Sequence, residues 1–101
     1  MLKVTLDGEG TIDNAVIFLE DPIEKFPIYL EPVSNKKWEK EDIPTIHDDL
    51  LDYSLHVQAY TGTAFTCVVT DMENDKSVTI EGITGKKIKH YANEKGTQEF
   101  Q

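Results

Sequence analysis

The side chains of this chain with the most reactive chemistry are few and scattered: three histidines (His47, His56, His90), a single cysteine (Cys67) and a single tryptophan (Trp38). A nucleophile activated by an imidazole would have to pair Cys67 with one of the histidines, because the thiolate is the attacking form and needs a base or cation beside it. Alternation along the chain opposes that pairing. Cys67 has the parity of Phe65 and Val69, the apolar side of its stretch, whereas His56 falls with Ser54, Gln58 and Tyr60 on the polar side of its own. Cys67 is therefore expected to pack in the core. A hydrolase using His47 or His56 with nearby aspartates ranks third among the functional readings. His90, between Ile88 and Ala92, reads as a core or rim histidine.

Two stretches suggest cation chemistry. Asp7-Gly8-Glu9-Gly10-Thr11-Ile12-Asp13 resembles the middle of an EF-hand calcium loop, with Gly10 at the bend. In that register the first ligand position is Thr5 and the twelfth, which should be a bidentate glutamate, is Val16. An acidic hairpin turn is the expectation. His47-Asp48-Asp49 offers metal-ligating types but no second histidine at ligand spacing, and is expected to be a solvated acidic turn. No glycine-rich loop follows a strand and opens a helix, so nucleotide cradles find no support. No cofactor or metal is expected.

Trp38 lies in a run of lysine and glutamate, Lys36-Lys37-Trp38-Glu39-Lys40-Glu41, where nothing local explains its bulk. Either the run folds back and Trp38 covers an open end of the core, or Trp38 is an exposed anchor for a partner.

The formal charge of −9 over 101 residues is unevenly spread. Residues 1–24 carry a net −5, residues 41–75 hold eight acids and no base, and residues 76–95 carry a net +3. All ten bases are lysine, so the planar fork that reads phosphate and guanine bidentately is missing. Nucleic acid and anionic membranes are disfavoured as partners, and a protein with a basic surface is favoured.

The elements that must position these groups read as strands. Leu2, Val4 and Leu6 alternate with Lys3, Thr5 and Asp7. Ala15-Val16-Ile17-Phe18-Leu19 is a branched apolar run expected to be a central, best-buried strand covered on both faces. Phe26, Ile28 and Leu30 continue the alternation, with Pro27 and Pro32 moving this strand to a sheet edge. Residues 34–45 are expected to form a long polar loop, and Thr45 to Asp52 one helical turn or a strand approach.

From Asp52 to Ala92 the pattern reads as a meander: Tyr53 to Tyr60, Ala64 to Asp71, Ser77 to Ile83 and Lys86 to Ala92, with turns at Thr61-Gly62-Thr63 and Glu73-Asn74-Asp75. Its inner wall would be Leu55, Val57, Phe65, Cys67, Val69, Val78 and Ile80. Its outward side would gather His56, Gln58, Tyr60, Thr66, Val68, Thr70, Thr79 and Glu81 on one flat face. Residues 93–101 are expected to be a frayed tail.

Seven short strands without a long amphipathic helix predict an all-β single domain over residues 1–101, an antiparallel β-sandwich of Ig-like or jelly-roll-like kind, with a small β-barrel as the alternative. A lone cysteine fits a reducing compartment, and the chain has neither a signal-peptide h-region nor an apolar run of membrane-spanning length. A cytoplasmic location is expected, although assembly into a virion or other extracellular particle would leave the same sequence.

The leading functional expectation is a non-enzymatic, acidic protein-binding module: an inhibitor or immunity-type partner, or an assembly component, with homo-oligomers compatible. Carbohydrate binding through Trp38 and Tyr60 or Tyr29 is the alternative. The residues expected to carry binding are Trp38, His56, Gln58, Tyr60, Thr66, Thr70, Asp48, Asp49 and Asp52.

Overall fold

Leu2, Val4 and Leu6 are fully buried while Lys3 and Thr5 between them are half exposed, so the first strand turns alternate side chains to the core as its sequence requires. The same rule governs the molecule. The computed structural model describes residues 1–20, 27–44, 50–86 and 88–101. Its strands are β1 (Leu2–Gly8), β2 (Ile12–Leu19), β3 (Ile28–Tyr29), β4 (Glu31–Pro32), β5 (Lys37–Ile43), β6 (Leu50–Ala59), β7 (Ala64–Asp71), β8 (Lys76–Ile83) and β9 (Tyr91–Glu99). They form two antiparallel sheets, one ordered β4-β5-β1-β7-β8 and the other β3-β2-β6-β9. Their inner faces share one core, which makes the chain a single-domain β-sandwich. No helix among the described residues is long and apolar enough to cross a membrane.

The core contains every residue of the expected inner wall, Leu55, Val57, Phe65, Cys67, Val69, Val78 and Ile80, together with Ala15, Ile17, Leu51, Tyr53 and Phe100. Each fully buried Leu, Ile or Val contributes about 1.5–3 kcal/mol. The best-buried strands are β6 and β7 rather than β2. In β2 the outward Val16 and Phe18 remain half exposed, because no element among the described residues stacks a third layer on that face.

Several expectations are corrected. Nine strands stand among the described residues where about seven were expected, and the acidic turn after β1 does not close a hairpin, because β1 belongs to the first sheet and β2 to the second. The polar stretch 34–45 is not a loop: Lys37–Ile43 forms β5 and pairs with β1 from Asp7↔Lys37 to Leu2↔Ile43. Its ladder is made by backbone groups, which polar side chains do not weaken, and only Trp38 and Ile43 point apolar surface inward. The tail is likewise a strand. Tyr91–Glu99 pairs along its whole length with β6, from Gln58↔Tyr91 to Leu50↔Glu99. Of the stretch Lys86 to Ala92, Tyr91 and Ala92 open β9, Lys89 and His90 form a turn closed by the bridge Ile88↔Tyr91, and Lys87 lies outside the described residues. Residues 45–49 of the expected helical turn lie outside the described residues, while Leu50, Leu51 and Asp52 open β6.

The meander is also corrected. β6 belongs to the second sheet and β7 to the first, although only residues 60–63 separate them. The turn does not close a hairpin because Thr84 engages its polar groups. The Gly62 amide donates to the Thr84 carbonyl (2.8 Å), the Thr84 amide donates to the Thr63 carbonyl (3.0 Å), and the Thr84 hydroxyl donates to the Tyr60 carbonyl. β7 and β8 do form a hairpin in register from Ala64↔Ile83 to Asp71↔Lys76. At its turn, both carboxylate oxygens of buried Asp71 accept hydrogen bonds from Glu73 and Asn74.

The proline-flanked stretch runs along an edge, as expected, but serves both sheets. Ile28–Tyr29 edges the second sheet and Glu31–Pro32 the first. On the opposite side, Ser77 and Gln101 exchange both backbone hydrogen bonds (2.9 and 3.0 Å) and join β8 to the end of the chain.

Two strands carry an extra residue. Between Leu2↔Ile43 and Val4↔Lys40, β5 has one residue more than β1, and Asp42 there has φ 56°. Between Ile12↔Ala59 and Asn14↔Gln58, β2 has one more than β6, and the bulge turns Asp13 outward next to Asn14.

Candidate functional site

The residues expected to share one binding face are divided between opposite faces of the sandwich. Asp52, His56 and Gln58 lie on the outer face of the second sheet, with Tyr60 just beyond the end of β6. Thr66 and Thr70 lie on the outer face of the first. Period 2 specifies inside or outside for each strand, but the sheet switch between β6 and β7 sends the two outward sets in opposite directions. Asp48 and Asp49 lie outside the described residues.

Trp38 is not an exposed anchor. It sits on β5 opposite Leu6, half buried and packed against the core, and its indole Nε1 is buried with no hydrogen-bond partner. Nor does the acidic run 41–75 make one patch. Asp71 is 4% exposed and caps a turn, Asp42 occupies a bulge, Asp75 has φ 54°, and Asp52 accepts a hydrogen bond from the Thr97 hydroxyl.

On the outer face of the second sheet, cross-strand neighbours build a directed polar network. The Tyr91 hydroxyl meets His56 Nδ1, His56 Nε2 lies 3.0 Å from Ser54 Oγ, and Ser54 Oγ donates to Asn93 Oδ1 at 3.3 Å. The serine has one proton and gives it to Asn93. His56 therefore donates from Nε2 and accepts from Tyr91 at Nδ1, an assignment that follows from the donor count. Phe18 meets the imidazole edge to face at 5.4 Å. Burial pushes the Tyr91 hydroxyl above its ordinary value, which keeps it a donor through neutral and mildly alkaline pH.

Ser54 next to His56 is the one serine–histidine contact of this kind among the described residues, and the sequence reading passed over it although the two share a parity. Its geometry is unsuited to attack. Ser54 is 1% exposed, and its proton points away from the imidazole that would have to take it. Cys67 is fully buried, and burial pushes its thiol to about 12. Among the described residues no three His, Cys, Asp or Glu side chains gather as a metal site.

Where this face meets the loops, Tyr60 is 76% exposed and contacts His90 edge to face at 5.9 Å. His90 is exposed rather than core. Its Nδ1 accepts the Thr61 amide at 3.2 Å, and its own amide donates to Thr61 Oγ1 at 3.3 Å. A shallow hollow here is lined by Asp13, Gln58, Ile88, Lys89, His90 and Tyr91. A second cleft of about 320 Å³, with Ile83 and Glu94 in its wall, lies on the other side of Ile88 and Tyr91.

The outer face of the first sheet differs in character. Its rows, read across the registers, are Glu31–Glu39–Thr5–Val68–Thr79, Lys37–Asp7–Thr66–Glu81, and Lys3–Thr70–Ser77. Lys3 is paired with Glu41 at 3.1 Å, which raises the lysine pKa. The centre is therefore Thr5, Thr66, Val68, Thr70 and Thr79, bordered by Asp7, Glu31, Glu39, Glu41 and Glu81. Glu31, Glu39 and Glu41 are close in sequence, on β4 and β5, but Asp7 on β1 and Glu81 on β8 are brought to them only by strand pairing, so no local charge count finds all five together. At about 4.8 Å per strand, the five strands span about 19 Å.

Comparison with protein-family models, curated proteins and solved structures returned no match for this chain.

Proposed function

We propose that this protein is a non-enzymatic interaction module that docks a basic partner protein on the outer face of its first sheet. The observation that supports this reading is the convergence of Asp7, Glu39 and Glu81, with Glu41 and Glu31 ion-paired to Lys3 and Lys40, around a centre of threonines and Val68. Small side chains on a flat sheet expose contact surface at low entropic cost, and the surrounding negative charge steers a positive partner and fixes its register. Docking on a basic enzyme would make the protein an inhibitor of the immunity type; docking on a basic subunit would make it an assembly component.

The test uses the partner that copurifies with the full chain. Val68→Arg places bulk and positive charge at the centre of the face without touching the core, and should weaken binding at least tenfold, about 1.4 kcal/mol or more. Glu39→Lys should slow association and flatten its dependence on salt. Association that ignores ionic strength, or that survives Val68→Arg in a variant with an unchanged circular dichroism spectrum, rejects the proposal.

A further inference from the structure

Two backbone irregularities converge on the hollow beside Tyr60. The bulge in β2 turns Asp13 towards it, and His90 at its rim has φ 62°, a left-handed conformation uncommon for any residue but glycine. Conformations of this kind persist where surrounding contacts enforce them, often at binding sites. Here the enforcing contacts are the paired bonds between His90 and Thr61. Neither irregularity serves the core, since Asp13 and His90 are both exposed.

We propose that this hollow binds a saccharide bearing a carboxylate, a sugar of the uronic-acid type. The donors and acceptors fit a polyol. The exposed Asp13 carboxylate accepts from hydroxyls, and the exposed Gln58 amide both donates and accepts. Because the Thr61 amide donates to His90 Nδ1, the neutral imidazole carries its proton on Nε2, where it can donate to a ligand oxygen. Tyr60 does not line the hollow itself but is 76% exposed and touches the lining residue His90, so its ring stands at the rim, where it can meet the C–H surface of a pyranose that extends beyond the hollow.

The carboxylate is called for by local charge. In a chain of net −9, residues 76–95 are net +3, and Lys89 lines this hollow without an ion-pair partner among the described residues. An acidic peptide would satisfy Lys89 but bring few hydroxyl donors for Asp13 and Gln58. A uronic acid supplies the anion for Lys89 and hydroxyls for Asp13 and Gln58 together. Tyr91 in the wall is already positioned by its contact with His56, so little ordering remains on binding.

The hollow lies on the second sheet, away from the docking face of the first, so the two proposals succeed or fail separately. The experiment is a titration of the full, isotope-labelled chain with glucuronate, glucose and acetate, followed by amide chemical shifts. Glucuronate should move the amides of Tyr60, Thr61, Lys89 and His90 saturably, with a Kd on the order of 1 mM. Tyr60→Ala, at an exposed position, should weaken it at least tenfold, and Lys89→Ala about fivefold. Absence of a saturable shift, equal binding of acetate, equal binding of glucose, or full affinity in the Tyr60→Ala variant overturns the proposal.

Discussion

Cys67 shows how far a single residue can be read from its neighbours. Its parity with Phe65 and Val69 placed it inward, and it is fully buried. Burial raises the thiol from its ordinary 9.0 to about 12. The folded state thus holds the proton more tightly than the unfolded state, so this contribution to stability is intact below pH 9.0 and is lost as pH rises towards 12. Between those values the slope is about 1.4 kcal/mol per pH unit. Urea unfolding should show this alkaline loss, and Cys67→Val should remove it. Labelling of the native thiol by iodoacetamide should follow the rate of unfolding rather than the thiolate fraction. His56 was equally legible as an outward residue, but its partner Tyr91 was not, because nothing local pairs residue 56 with a residue on a strand that the polar sequence concealed.

At the scale of elements, the strands with apolar alternation were legible and the polar ones were not. β1, β7 and β8 announce themselves through Leu, Val, Ile and Phe at every second position. β9 alternates Asn93, Lys95 and Thr97 against Glu94, Gly96 and Gln98, so its two faces hardly differ in polarity. It is a strand because β6 offers a complete partner ladder, and backbone hydrogen bonds are indifferent to side-chain type. β5 is similar, with Trp38 as its main apolar hold on the core. Trp38→Ala should cost about 2–3 kcal/mol, at the low end for an aromatic because the ring is half buried. Trp38→Phe keeps much of the packing and deletes the unpartnered buried N–H, and should change stability by no more than about 1 kcal/mol. Denaturation followed by far-ultraviolet circular dichroism measures both. The emission of Trp38 should be blue-shifted and resist acrylamide.

At the scale of the molecule, β8 and β9 edge different sheets and approach along one side of the sandwich, where Ser77 and Gln101 close the gap with paired backbone bonds. Between them Gly82 is required by space: a Cβ there would lie 2.6 Å from Phe65 and 2.8 Å from the Glu94 carboxylate. Phe100, 6% exposed, secures the end of the seam in the core. Phe100→Ala should therefore lower stability by about 3 kcal/mol. It should also speed hydrogen exchange at the Ser77 amide more than at the β1–β7 ladder, since that amide depends on Gln101 staying in place.

Side-chain alternation alone determined that the chain is all-β, which residues of the meander face inward, and that Cys67 is structural, because a pleated strand has only two sides and burial selects one; that the sheets form a sandwich and not a small barrel was decided by the strand pairing. Only the tertiary structure decided which sheet each strand joins. That choice separated Thr66 and Thr70 from His56, Gln58 and Tyr60, gathered carboxylates from four strands on one face, and set Tyr91 against His56. It depends on backbone pairing and on where a turn's polar groups find partners, as Thr84 does for residues 60–63, and period 2 carries no information about either.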